Sequence, residues 1–471
     1  MLPPEKRAPR FQAFARIAAG LVFLLSCHAA TEDDPQQLLA HIRQNILDTI
    51  RRLPRYVCRQ TVDRTRYEPG DPDFATRRRS CDAMIAQSKN TKWRRRLSSS
   101  DRLRLDVVQS NGTPGLVNEM YSWAGEDRFG SRELFDFVRD GAVSTGSFAS
   151  MLASIFGKDV PFSYNGDTAK GPALLSEFGF DIPLEKSSYQ YVLANGVNRR
   201  MAYEGTILAD SNTADLVRLE LRAYQPPPET GVCQIGQSLD YGRVTLNDSD
   251  FLLPREARVS VLHTDGTEAD NVIRYSDCHE FHSDVTVRYE PTLAHNRPAP
   301  LVQPKPRPLA LPAGAPFKVT FTDRIDTATA AAGDPIHGRL KTAIREQSGD
   351  VLIPEGTPVT GRILRVKRYY DLSQHRMVES RATTTQPSLV VDVRLETLEM
   401  AGVERPFKAA FDSGIQRRLK QPGIMGRVEI GSFDQADSEA NSEIGTFPFW
   451  DASPQPVVKA GLESSWVTVA P

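Results

Sequence analysis

From Gly157 to Tyr289 the chain is a near-continuous series of short alternating segments divided by Gly, Pro, Asn and Asp turns, and this constrains the fold more than any other feature. FGFDIPL (178–184), SYQYVLA (188–194), RRMAYEGTILA (199–209), LVRLELRAY (216–224), GRVTL (242–246), EARVSVLHT (256–264), NVIRYSDCHEF (271–281) and DVTVRYE (284–290) follow one another. A period of two places alternate side chains on opposite faces, the pattern of half-buried strands. QPPPETG (225–231) reads as a rigid hairpin tip.

Helical spacing precedes this run. In residues 33–53, Leu38, Leu39, Ile42, Ile46, Leu47, Ile50 and Leu53 recur every three or four positions, with Pro35 in the first turn. A strand follows in which Tyr56, Cys58, Gln60 and Val62 share one face, and RLRLDVV (102–108) alternates again. Residues 131–157 read as helical, with Phe148, Met151, Leu152, Ile155 and Phe156 forming one apolar stripe that Gly157 ends. Helices before a long antiparallel run predict an α+β unit over residues 28–290, a curved sheet closing over a helical layer.

Residues 291–312 hold seven prolines, the composition of a semi-rigid spacer and a domain boundary. Beyond it, residues 313–471 predict a second, all-β unit: Phe317, Val319 and Phe321 alternate, Val359 and Ile363 do so again, and LVVDVRLETLEM (389–400) continues the pattern. Such short strands suggest a small barrel or sandwich. Residues 412–446 read as a long loop, and WVTV (466–469) as a strand that closes the sheet.

The N-terminus reads as an export address. Lys6, Arg7, Arg10 and Arg16 precede the apolar run Ile17 to Ser26, too short as a helix to span a bilayer. The signal occupies residues 1–27. Cleavage after Ala29 or Ala30 is one route; the other is a lipobox, Leu24-Leu25-Ser26-Cys27, with Cys27 lipidated. Export leaves Cys58, Cys81, Cys233 and Cys278, an even set for disulfides. Four cysteines allow three pairings, of which Cys58–Cys81 and Cys233–Cys278 are favoured because each falls within one stretch of neighbouring strands.

On these segments residues 33–290 resemble the outer-membrane lipoprotein carrier and lipoprotein-sorting (LolA-like) superfamily, through the N-terminal helix, the later helices and "LVRLELRAY…GRVTLNDSDFLLP…VSVLHTDG…NVIRYSDC". The resemblance implies an incomplete barrel with a helical lid over an apolar cavity that binds acyl chains or acylated proteins. Residues 309–365 look like the start of the TrbI-type β-barrel of conjugation and type IV secretion complexes, through LPAGAPFKV, AAAGDPIHGRL and the Ile353-Pro354-Glu355-Gly356 turn with Gly361 after it. The two-part layout is similar to that of uncharacterised exported bacterial proteins.

Candidate sites are few. In SDCHEFHSD (276–284) a strand would set Cys278, Glu280, His282 and Asp284 on one face, but no second ligand pair stands out, so neither a metal nor a cofactor is expected. Residues 51–104 carry 16 Lys or Arg against 6 Asp or Glu, while the whole chain is at −1. The cluster Arg77, Arg78, Arg79, Arg94, Arg95, Arg96 around Trp93 therefore suggests a solvated basic loop or a site for anionic headgroups or cell-wall polymers; export excludes nucleic acid. The stripe Phe148, Met151, Leu152, Ile155, Phe156 is core or the lining of a ligand cavity. GxSxG, HExxH, SxxK, GxGxxG and CxxC patterns are absent, and Gly333–Leu340 has Arg-Leu where a phosphate-binding loop needs Lys and a hydroxyl residue, so it reads as a turn. The expectation is a non-enzymatic envelope protein, in the periplasm or anchored to the outer membrane as a peripheral or lipid-anchored protein. It binds a lipid or acylated protein in the half-barrel and an envelope partner through the C-terminal barrel. The alternative is an assembly component with both β units as interaction modules.

Overall fold

The computed structural model describes residues 34–70, 80–88, 95–113, 116–126, 129, 134–138, 148–157, 160–171, 173–192, 197–224, 226–281, 308–370, 388–412, 443–450, 453 and 455–470. The chain is mostly antiparallel β-sheet with few helices. The helices are α1 (Pro35–Arg52), α2 (Cys81–Ser88), α3 (Leu134–Phe137) and α4 (Phe148–Phe156). None of those described is long and apolar enough to cross a membrane.

In the N-terminal half the strands are β1 (Tyr56–Pro69), β2 (Arg95–Thr113), β3 (Leu116–Trp123), β4 (Phe162–Lys170), β5 (Ala173–Ile182), β6 (Gln190–Val192), β7 (Asn198–Arg200), β8 (Ala202–Asp210), β9 (Leu216–Tyr224), β10 (Val232–Leu246), β11 (Ser249–His263) and β12 (Glu268–Glu280). From β8 to β12 the pairing simply follows the chain, as expected of strands joined by tight turns; β6 and β7 form a separate hairpin. β1 then pairs with β12 on one side and β2 on the other, and β3 and β4 lie at the two ends, so this ladder is open among the described strands.

The helical spacing of α1 is realised. Asp34 caps it by accepting from the backbone N–H of Gln36 at 3.0 Å, Pro35 occupies the first turn, and Leu38, Ile42 and Ile46 are buried. Leu152, Ile155 and Phe156 of α4 join them in one core with the inward residues of the sheet, among them Val62, Leu105, Tyr121, Phe178, Ile207 and Leu239.

In the C-terminal half the strands are β13 (Pro316–Phe321), β14 (Ile325–Asp326), β15 (Pro335–Leu340), β16 (Ile344–Arg345), β17 (Val351–Ile353), β18 (Pro358–Tyr369), β19 (Leu389–Met400), β20 (Val403–Pro406), β21 (Ala409–Phe411), β22 (Ile444–Phe449), β23 (Val457–Val458) and β24 (Glu463–Thr468). β21, β24, β13, β15, β18 and β19 pair in that order, and β19 splits its far edge between β22 and β20. A second core forms around Trp466, Phe321, Phe317 and Val391. Leu311 belongs to it, and the Leu309 N–H donates to the Pro406 carbonyl, so the end of the proline-rich stretch packs on this half; residues 291–307 lie outside the described set.

The two halves share a strand. The outer edge of β2 pairs with β3 from Leu105 onward, but over Ser99–Asp101 it pairs with Lys367–Tyr369 of β18. Between these ladders the turn before β15 closes the gap: the Arg104 N–H donates to Ala332 and the Ala332 N–H donates to Arg102. Gly333 makes that approach possible, since it has φ +106° and a Cβ there would lie 2.1 Å from the Arg104 carbonyl oxygen. The segment read as a plain turn is thus a seam, and the C-terminal half is fused to its neighbour by main-chain bonds as well as joined through the proline-rich stretch.

Candidate functional site

The core under α1 and α4 is mostly apolar, and among its buried polar side chains six stand out. Gln60 projects from β1, Gln109 from β2, Glu119 and Tyr121 from β3, Tyr241 from β10 and Tyr275 from β12. Register sets Gln109 opposite both Tyr56 and Glu119, and Gln60 opposite Tyr275; on β2 Gln60 faces Leu105, four positions along from Gln109. Gln109 Nε2 donates to Glu119 at 2.7 Å, and the Tyr121 hydroxyl donates to the other Glu119 oxygen. Burial pushes Glu119 up to about 7 despite the opposing pull of those two hydrogen bonds. Burial, with the charge of Glu119 beside them, also raises Tyr56 and Tyr275, and burial raises Tyr241.

Several of these groups lack a partner within the protein. Both amide atoms of Gln60, Oε1 of Gln109 and the hydroxyl of Tyr241 are buried without a hydrogen bond. Gln60 is 1% exposed and Gln109 4%. An unmet buried polar group costs about 1–3 kcal/mol, so each of these atoms calls for a partner from outside the chain. A cavity of about 20 Å³, near the size of one water molecule, lies at the seam of helices and sheet, lined by Ile46, Ile50, Leu152, Leu253, Tyr56 and Tyr241.

The apolar stripe lies over this region. Leu152, Ile155 and Phe156 are 6%, 0% and 1% exposed, Met151 is half-buried against the same core, and Phe148 starts α4, its side chain lying outside the described set. Of the basic cluster, Arg77, Arg78, Arg79 and Arg94 lie outside the described residues, as does Cys27. Arg95 pairs with Glu268 at 2.5 Å and sits over the Tyr67 ring at 4.3 Å, and Arg96 lies opposite Glu68 in the ladder.

Cys58, Cys81, Cys233 and Cys278 are all in disulfides, but the favoured pairing is corrected. Cys58 bonds Cys278 and Cys81 bonds Cys233. β1 pairs with β12 across the whole unit, so Cys58 meets a cysteine 220 residues away, and α2 packs its Met84 against Cys233 and Leu262. Neighbourhood in sequence was the wrong guide to neighbourhood in the sheet. Of the candidate metal segment, Cys278 is thereby consumed, His279 Nδ1 lies 2.9 Å from the Asp277 carbonyl, and Glu280 accepts from Asn247. His282 and Asp284 lie outside the described residues, among which no three His, Cys, Asp or Glu side chains converge.

A larger, polar cleft of about 640 Å³ opens at the seam between the halves, lined by Arg104, Asp323, Arg324, Asp326 and Asp334 among others. Its charges are already matched: Arg104 with Asp334, Arg324 with Asp326, and Asp323 with His337. It lacks the unmet polar atoms of the inner site.

Sequence reasoning placed Gln60 on the inward face with Val62 but assigned it no role, and passed over Gln109, Glu119 and Tyr241. The available signal was a polar residue at an inward strand position, which only the pairing of distant strands turns into a cluster.

Comparisons with solved structures find a domain described as an outer membrane lipoprotein-sorting protein from Vibrio parahaemolyticus, at 10% identity over 52% of this chain and 92% of that one, with a TM-score of 0.25. A DUF1329 family protein from Desulfovibrio piger is similar at 9% identity over 54% and 95%, with a TM-score of 0.24. Likeness at this level carries no argument about ligand or activity. No family model and no curated protein matches the chain.

Proposed function

We propose that this is an exported binding protein of the cell envelope that takes an acyl chain, free or carried by another molecule, between the α1–α4 layer and the face of the N-terminal sheet beneath it. The observation that carries this reading is the seam itself. Ile46, Ile50 and Leu152 meet Leu253, Tyr56 and Tyr241 around a cavity there, while unmet polar atoms remain among the buried side chains of the sheet. Separation of the helices would expose a long apolar face, and each methylene buried there contributes about 0.8 kcal/mol, so an acyl chain supplies the driving force without any chemical step. Met151, Leu152, Ile155 and Phe156, with Phe148, would line the opened groove, Met151 adapting to chains of different shape.

On this reading the sheet of residues 28–290 acts as an open half-barrel with a helical lid, and residues 313–471 present a β module to an envelope partner. The two disulfides fit an oxidising compartment, and lipidation at Cys27 or cleavage beyond it decides whether the protein is anchored. The test is native mass spectrometry of the mature protein drawn gently from its own envelope fraction, followed by titration with a fluorescent fatty acid. A co-purifying acyl species or saturable uptake is expected. Bare protein that also takes up neither the fatty acid nor its glycerol ester overturns the reading.

A further inference from the structure

We propose that Gln60, Gln109, Glu119 and Tyr241 select an acyl ligand whose head is uncharged and bears hydroxyls, of the monoacylglycerol kind, over ligands ending in carboxylate or phosphate. The inference rests on the acyl-binding reading above and narrows its ligand.

The unmet atoms define the chemistry. Gln60 Nε2 is a donor, Gln60 Oε1 and Gln109 Oε1 are acceptors, and the Tyr241 hydroxyl is both. A hydroxyl group both donates and accepts, so a glycerol head answers all of them. An ionised carboxylate or phosphate only accepts, and it would leave the two amide oxygens unmet.

The electrostatics point the same way. The groups acting on Glu119, Tyr56, Tyr241 and Tyr275 are burial, one another, and the hydrogen bonds from Gln109 and Tyr121; no Lys or Arg is among them. An anionic head would be brought beside a buried carboxyl with no cation to offset it. Arg64, the nearest inward cation along β1, is held by Asp101 at 2.5 Å. The tail would run from this row under Ile46, Ile50 and Leu152, where the seam cavity already lies.

The experiment is isothermal titration calorimetry of the mature protein with three ligands that share a twelve-carbon chain: monododecanoylglycerol, dodecanoate and dodecyl phosphate. The glycerol ester is expected to bind about tenfold more tightly than either anion, and Tyr241→Phe, which deletes one oxygen and keeps the ring, to cut that ratio severalfold. Gln60→Leu, close in volume, is the second variant and should reduce the same ratio. Equal binding of the three ligands, or a ratio unmoved in both variants, overturns this inference while leaving the acyl-binding reading in place. Failure of all three to bind overturns that reading itself.

Discussion

Arg362 of the C-terminal half donates through Nη1 to the carbonyl of Ala124 in the N-terminal half, 3.3 Å away. The same nitrogen reaches the Gly333 carbonyl at 2.8 Å, and the rest of the guanidinium is held by Glu396 and Glu126. The side chain is 8% exposed, so a charge has been drawn into the seam and fully matched there. Burial alone would raise Glu396, but the hydrogen bonds and charge of Arg362, with Arg394 behind them, hold it below its ordinary value.

Removing one member of such a buried set strands the others, at a cost of about 3–5 kcal/mol. Arg362→Met is therefore expected to lower the urea midpoint strongly and to separate one unfolding transition into two, followed by tryptophan fluorescence and circular dichroism. A carboxyl held low contributes stability above its unfolded pKa and loses it as pH falls through the folded value. The gap between wild type and Arg362→Met should thus narrow in acid below about 4.5.

Gly333→Ala tests the seam from the other side. With φ +106° and the Arg104 carbonyl in the way, the methyl group forces Ala332 off β2. A loss of roughly 2–4 kcal/mol is expected from strain and broken main-chain bonds. Faster proteolysis at the seam, read by mass spectrometry, is the check; an unchanged digest and unchanged stability would contradict the close approach.

Glu119 carries the opposite pH signature to Glu396. Its folded pKa lies above its unfolded value, so the native state binds the extra proton, and stability falls as pH rises from about 4.5 to about 7. The loss is on the order of 2–3 kcal/mol. Glu119→Gln is expected to flatten that slope in thermal melts taken at several pH values and to be the more stable protein at pH 8.

Removing the second disulfide as Cys81→Ala with Cys233→Ala should cost about 2–5 kcal/mol and loosen α2 first, because that bond and the packing of Met84 and Ile85 on Cys233 and Leu262 hold the helix to β10 and β11. Hydrogen exchange over Cys81–Ser88 checks the locality. Peptide mapping without reductant should recover Cys58 linked to Cys278 and Cys81 linked to Cys233.

Much of the fold was legible because its local signals are strong. LVRLELRAY became β9, LVVDVRLETLEM became β19, and the spacing of Leu38, Ile42 and Ile46 became the buried face of α1. What the sequence hid was pairing over distance. Nothing near Cys58 indicates that its strand lies beside β12, and nothing near Gly333 indicates that its turn will seat against Arg104. The polar row was hidden for the same reason: Gln109 and Glu119 become neighbours within one hairpin, but Gln60, Tyr241 and Tyr275 join them only when strands from opposite ends of the unit meet.

The pairing of β1 with β12 also sets a timetable. On the proposed export route the chain emerges from its N-terminus, so Tyr56–Pro69 is outside well before Glu268–Glu280, its partner on one edge. Closing a contact of that span is slow and entropically costly, and it must wait until nearly three hundred residues have crossed. Until then the inward face of β1, with Tyr56 and Val62, is an uncovered adhesive surface. On that route the architecture leaves an unfinished sheet exposed for longer than strictly local pairing would.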